Sequence, residues 1–143
     1  MNKSWFVCQI KFNKEDDKGN IKKVQQSYLI DAISYTEAEA RIYQEMGSII
    51  KDFQIGDLRR SNLIEVFHYE DADMWYKCKI TYNVTDDDTE KVKKVSLYVI
   101  VSAHNIKEAY ERIEENYKTM LVPYTVVSIN ESPFEEVFVH QEG

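Results

Sequence analysis

Few side chains in this sequence are equipped to do chemistry. Cys8 and Cys78 could act as nucleophiles or thiolate ligands, and His68, His104 and His140 as general bases or zinc ligands. A nucleophilic thiolate needs a lowered pKa and a positioned base, and a zinc site needs ligands at short, recurring spacings. Neither pattern is present. Each cysteine falls on the apolar side of an alternating run, Phe6-Val-Cys-Gln-Ile10 and Tyr76-Lys-Cys-Lys-Ile80, so both are expected to pack in the core as inert thiols. The three histidines are scattered and read as surface residues; His104, beside the helix-starting Asn105, is the one worth testing. The acidic runs Glu15-Asp16-Asp17 and Asp86-Asp87-Asp88 lack the alternate ligand spacing of a calcium loop and read as solvated hairpin tips. Asp71-Ala-Asp73 reads as a polar linker. With four glycines there is no phosphate-cradling motif. The sequon Asn83-Val-Thr85 would go unused in the cytoplasm. The expectation is a protein with no catalytic residues, no metal and no cofactor, not an enzyme.

Two binding chemistries remain. Local basic clusters occur at Lys22-Lys23, Arg59-Arg60 and Lys91-Val-Lys93-Lys94, and Lys77 and Lys79 alternate with Trp75 along one strand. Aromatic rings among cations on a sheet are how single-stranded nucleic acid is held, by stacking and backbone charge. Trp5, Trp75, Lys77, Lys79, Lys22, Lys23, Lys93 and Lys94 are the contact residues that this reading requires. Net charge opposes it. The chain carries 18 basic and 25 acidic residues, a net charge of −7. Residues 71–143 hold 8 of those basic and 14 of those acidic groups, a balance of −6. Glu108, Glu111, Glu114 and Glu115 load one helix, and Glu131, Glu135, Glu136 and Glu142 follow it. An acidic half suits a basic protein partner, through steering and charge complementarity.

The elements that must position these residues come in two sets. Trp5-Phe-Val-Cys-Gln-Ile-Lys-Phe12 lies opposite Trp75-Tyr-Lys-Cys-Lys-Ile-Thr-Tyr82 at an offset of 70, and residues 36–67 match 107–138 at an offset of 71. Glu37, Ala38, Arg41, Ile42, Ser61, Glu65, Val66 and Phe67 are identical to Glu108, Ala109, Arg112, Ile113, Ser132, Glu136, Val137 and Phe138. The reading is one domain, 1–143, made of two repeats at 5–67 and 75–138 with a joint at 68–74. Period-2 alternation predicts a first strand in each. A polar tip and a second strand (Val24–Ala32, Val92–Ser102) complete a hairpin. Thr36-x-x-Glu39 and Asn105-x-x-Glu108 resemble capping boxes. The apolar stripes Ala38, Ile42, Met46, Ile49 and Ala109, Ile113, Tyr117, Met120 predict helices ending near Lys51 and Leu121. A third strand (Phe53–Leu58, Tyr124–Ile129) and a short apolar tail (Leu63–Phe67, Phe134–Val139) follow.

The expected fold is therefore α+β: a tandem duplication of a β-β-α-β unit, with largely antiparallel sheets, one helix on one face of each, and a pseudo-twofold arrangement. Right-handed crossover places strand three antiparallel beside strand one. Val95, Leu97, Val99 and Val101 alternate with Tyr98 and Ile100, so the second strand of the second repeat is expected to be buried on both faces.

Composition sets the outer bounds. A chain of 143 residues, 43% hydrophobic and 13% aromatic, can bury a core without disulfides and is too apolar for acidic disorder. No apolar run approaches the ~20 residues of a bilayer span, so no membrane is expected. Two cysteines without CxxC spacing, and opening residues without an apolar leader, predict a cytoplasmic protein. Exposed strand edges make a homodimer plausible.

The Trp-aromatic-x-Cys-x-Ile strands, the segment Asp31-Ala-Ile-Ser-Tyr-Thr-Glu-Ala-Glu-Ala-Arg-Ile42, Glu65-Val-Phe67 and Trp75-Tyr-Lys77 together resemble an uncharacterised domain family of Bacteroidota and their phages and mobile elements. The resemblance spans almost the whole chain. It implies a bacterial or phage cytosolic setting and brings no activity, cofactor or catalytic set. The reading is a non-enzymatic interaction module that binds a protein partner through its acidic second repeat. The alternative is an accessory single-stranded nucleic-acid binder.

Overall fold

The computed structural model describes residues 3–139; His140 and Glu142, named above, lie outside them. The elements run β1 (Ser4–Glu15), β2 (Ile21–Ala32), α1 (Tyr35–Met46), β3 (Phe53–Arg60), β4 (Glu65–Phe67), β5 (Met74–Thr85), β6 (Val92–Ala103), α2 (Ile106–Tyr117), β7 (Tyr124–Ser132) and β8 (Phe134–Phe138). The fold is α+β, with two four-stranded sheets and two helices.

The chain forms two compact units. One runs to Asn62 and resumes at Pro133; the other is Leu63–Ser132. In the first, the strand order is β3-β1-β2-β8; in the second it is β4-β6-β5-β7. Within each, the long hairpin and the strand after the helix are antiparallel neighbours, β1 flanked by β2 and β3, and β5 flanked by β6 and β7. The fourth strand is parallel: Leu29 sits opposite Val137 and Ile100 opposite Val66. These units divide the chain differently from the sequence repeats at 5–67 and 75–138, because the short tail of each repeat joins the sheet formed by the other.

The shorter linker forces that exchange. Since β3 is antiparallel to β1 and β1 to β2, β3 runs in the direction of β2. A strand on the free edge of β2 or β6 would have to cross the three strand spacings that separate it from β3 or β7, about 14 Å. The five Cα steps from Arg60 to Glu65 span at most about 18 Å. Between β7 and β8 only Pro133 intervenes, a reach of about 7 Å. β8 therefore cannot return to the sheet that precedes it, and by lying on β2 it takes the edge that β4 would otherwise need.

Each unit has its own core. Phe6, Cys8, Ile10, Tyr28, Ile30 and Ala32 pack against Ala38, Ile42 and Met46 of α1. Tyr76, Cys78, Ile80, Val99, Val101 and Ala103 pack against Ala109 and Ile113 of α2. The intervening positions at the ends of β2 and β6, Leu29, Asp31, Ile100 and Ser102, are buried too. Two-faced burial thus extends to both second strands, beyond the single one expected. The hairpin tips are ordered by their first aspartates: the Asp16 carboxylate accepts from the Lys18 and Asn20 N–H groups, and Asp86 from Asp88. The acidic runs there serve turn geometry.

Two expectations about the helices are corrected. The first helix is capped by Ser34, whose hydroxyl accepts from the Glu37 N–H at 3.1 Å; Thr36 lies inside the helix. Ser34 stands 71 residues before Asn105, the cap of α2, and both adopt the extended backbone a cap requires. Both helices stop four to five residues earlier than expected. At Gly47 the chain tightens into a turn, with the Ile49 and Ile50 N–H groups both bonded to Met46 O. Ile49 is exposed, and Ile50 takes its place against the core.

Phe138 closes the first core from the fourth strand, stacked on Tyr28 at 5.7 Å between ring centroids. Phe138→Ala should therefore destabilise the protein by about 3 kcal/mol in urea unfolding. A loss below about 0.5 kcal/mol, the effect of an ordinary surface substitution, would show that the terminal strand is not part of that sheet.

Candidate functional site

The densest polar constellation among the described residues lies along one side of α2. His104, Glu108, Arg112 and Asn116 follow one another at four-residue spacing, which stacks them on a single helix face. They grip the segment at Tyr69–Asp71. Arg112 donates to both Asp71 carboxylate oxygens at 3.0 and 2.8 Å and lies 3.1 Å from Glu108 Oε1. Its guanidinium sits over the Tyr69 ring, 4.2 Å from the centroid. Asn116 donates to the Tyr69 hydroxyl at 3.0 Å, and that hydroxyl donates to Glu115. Ser102, at the end of β6, accepts from the Tyr69 N–H at 2.6 Å and donates to the Tyr69 carbonyl at 3.0 Å. The joint is a clamped segment, and Ala72 within it is buried; its expected role as a polar linker is corrected by these contacts.

His104 has an unusual pair of neighbours. Nδ1 lies 2.7 Å from a Glu108 carboxylate oxygen, and Nε2 lies 2.7 Å from the Asp71 carbonyl. A carboxylate and a carbonyl both accept, so this geometry favours the protonated ring, in which both nitrogens donate. Its pKa is raised, first by the bond to Glu108 and then by the bond to the Asp71 backbone. The Glu108 pKa is lowered, chiefly because the carboxylate accepts from the His104 backbone N–H. The bond from Arg112 is the largest cause lowering that of Asp71.

Asp71, His104 and Glu108 bring one potential ligand atom each within 4.8 Å of one another, which on geometry alone would suit a cation. The chemistry does not fit. A metal needs a deprotonated imidazole nitrogen, and here both nitrogens face acceptors that favour the protonated ring. Arg112 already supplies the positive charge between the carboxylates. Two anions and two cations balance, and the cluster reads as a latch.

An arginine does comparable work in the first unit. Arg41, 71 residues before Arg112, donates to the carbonyl and carboxylate of Asp31 at the end of β2, as Arg112 donates to the Ser102 carbonyl at 2.8 Å. Both members of the Arg41–Asp31 pair are buried. These two arginines were visible as an identical pair in the sequence, and the four-residue ladder from His104 to Asn116 was legible too. Tyr69 and Ser102 carried no comparable signal.

The remaining expected site residues are dispersed. Cys8 and Cys78 are free and fully buried; burial is the main cause that pushes their thiols up to about 11 and about 12. Trp75 is 5% exposed, so its ring offers no face to a base, which corrects its assignment as a stacking residue; Trp5 is half-buried. Lys77 and Lys79 both lie over the Tyr98 ring, 5.2 and 5.9 Å from its centroid. Register puts Lys94 on their face and Lys93 on the other. Lys22 and Lys23 belong to the other sheet, again on opposite faces. Of the acidic set, Glu111, Glu114 and Glu115 are exposed. Glu108 is committed to the latch, a correction to its place on an open partner surface.

Fold and site together define a two-unit α+β domain with buried thiols, an internally neutralised ionic latch and an acidic outer helix. The sequence profile of a domain of unknown function (DUF4494) matches residues 4–141, and the chain belongs to that family. No curated protein matches it.

Linkage fixes the pH range of the latch. Raising the His104 pKa contributes stability that is complete below roughly pH 6.5 and is lost as pH rises through the raised value. Lowering those of Asp71 and Glu108 contributes stability present above roughly pH 4 and lost as pH falls through the lowered values. NMR titration should find the His104 pKa raised above the ordinary imidazole value and shifting back toward it in Glu108→Gln. An ordinary His104 titration, unmoved by that substitution, would mean the latch does not form.

Proposed function

We infer that this chain is a non-enzymatic interaction module that meets a basic protein partner through the outer face of α2. The observation that carries the reading is the exposed trio Glu111, Glu114 and Glu115, set in a unit with 13 acidic and 8 basic residues. Like-signed carboxylates on a rigid helix favour encounter with cationic surfaces and repel anionic ones. The buried thiols and the doubly donating His104 leave the most reactive side chains occupied by structure, in keeping with a binding role. In this reading the chain arose by duplication of a β-β-α-β unit, supported by the 70- and 71-residue offsets and by the equivalent caps and arginines. Its setting is the cytoplasm of a bacterium or of a phage-infected cell, which rests on the sequence resemblance.

Single-stranded nucleic-acid binding is the second reading. It keeps one observation in its favour, the Lys77–Tyr98–Lys79 cluster of ring and cations. Burial of Trp75 removes its strongest stacking residue.

Panning a displayed random-peptide library against the immobilised full chain tests the first reading. Peptides rich in Lys and Arg should be enriched, and the enrichment should vanish for the triple variant Glu111→Lys, Glu114→Lys, Glu115→Lys. Equal enrichment on both proteins would overturn it. A labelled single-stranded oligonucleotide, titrated at two salt concentrations, should show no binding; tight binding that weakens steeply with salt would favour nucleic acid instead.

A further inference from the structure

The strand exchange between the two halves is reciprocal to the residue. Glu65, Val66 and Phe67 lie opposite Val99, Ile100 and Val101, and Glu136, Val137 and Phe138 lie opposite Tyr28, Leu29 and Ile30. Each of these residues stands 71 positions from its counterpart in the other sheet. One patch both gives and receives, which is the pairing rule of an isologous contact. The edges of β2 and β6 thus accept the same strand, Glu-Val-Phe.

The two strands are delivered differently. β4 is held on both sides. Before it, the Ile64 N–H donates to the Tyr98 carbonyl at 2.9 Å; after it, the Tyr69 backbone is bonded to Ser102. β8 follows β7 after one exposed residue, Pro133, where the chain passes from one compact unit to the other. The proline ring fixes φ at about −65° and pushes Ser132 toward extended backbone. The two strands therefore join as one stiff run with no loop to turn it. Short, stiff hinges are where an identical element passes to a second molecule.

The seat that β8 fills is specific. Leu29 and Ile30 are fully buried beneath it, and Phe138 stacks on Tyr28. An incoming strand must bring an aromatic ring to that register to close the core. β8 of a second copy brings it together with every other native contact.

We propose that the β2 edge is a strand-acceptor site for a second copy of this chain, and that two chains pair by exchanging β8 about Pro133. Both arrangements make the same strand contacts, so concentration and the hinge set the balance between them. The crossover lies near the effective concentration of a short tether, on the order of 1 mM. A net charge of −7 on each chain opposes pairing, so added salt favours the dimer. β4, held on both sides, stays within its own chain.

The test unfolds the full chain in urea and refolds it at roughly 1 mM and roughly 1 μM, with size read by chromatography and light scattering. The concentrated sample should yield a dimer and the dilute one a monomer. Isotope-filtered NMR on labelled and unlabelled chains refolded together should find Leu29 of one chain against Val137 of the other, with Ile100–Val66 contacts only within a chain. Inserting Gly-Ser-Gly-Ser after Pro133 should abolish the dimer while the dilute sample keeps the wild-type urea midpoint. Pro133→Ala, which frees the hinge without lengthening it, should shift the balance the same way. A monomer at both concentrations would overturn the proposal. A dimer whose Leu29–Val137 contacts stay within a chain, or one that survives both hinge variants, is joined elsewhere and overturns it too.

Discussion

The fold turns on a backbone requirement. The C-terminal halves of β2 and β6 are buried on both faces, so their N–H and C=O groups cannot turn to water and must be paired on both edges. One edge of each is met by the hairpin partner. The other can be met only by a strand arriving from elsewhere, and the short linkers 61–64 and 133 deliver β4 and β8 to the opposite sheets. Each half of the sequence thus supplies the other with the strand it lacks. A half isolated from its sibling would leave a buried, apolar strand edge open, which is the arrangement that aggregates.

The arginine at the centre of each helix answers a related need. Arg41 and Arg112 satisfy the carbonyl at the end of the buried strand and tie the helix to it. From there the two units diverge. In the first, Arg41 meets a buried aspartate on the same strand. In the second, Ser102 takes the place of that aspartate and binds the Tyr69 backbone, which frees Arg112 to hold Asp71 and stack on Tyr69. The same scaffold position serves a buried ion pair in one unit and an exposed latch in the other. Buried positions such as Ala38 and Ala109 or Ile42 and Ile113 are identical in the two units, whereas Glu111, Glu114 and Glu115 stand where α1 has Ala40, Tyr43 and Gln44.

Periodicity made the local elements legible. Phe6, Cys8, Ile10 and Tyr76, Cys78, Ile80 alternate as strands, and their burial follows that alternation. Extending the 71-residue alignment by two positions would also have moved the first cap from Thr36 to Ser34. The exchange of the fourth strands was hidden in the pattern itself: Glu65-Val-Phe67 and Glu136-Val-Phe138 are identical, so composition cannot tell which sheet either prefers. Linker reach could have told, since one proline cannot carry a chain from β7 across three strand spacings to the free edge of β6. The latch was partly legible as four polar residues at four-residue spacing. Its other half, Tyr69 to Asp71, lies more than thirty residues upstream and carries no local signature. Trp75 misled because a ring on a strand beside lysines looks the same in sequence whether it is covered or open.

Interstrand proton contacts measured by NMR on the isotopically labelled chain test this architecture most directly. The account predicts contacts between Leu29 and Val137 and between Ile100 and Val66, each in the pattern of parallel strands. Contacts joining Leu29 to Val66 and Ile100 to Val137 would show each half closing its own sheet, and would contradict it.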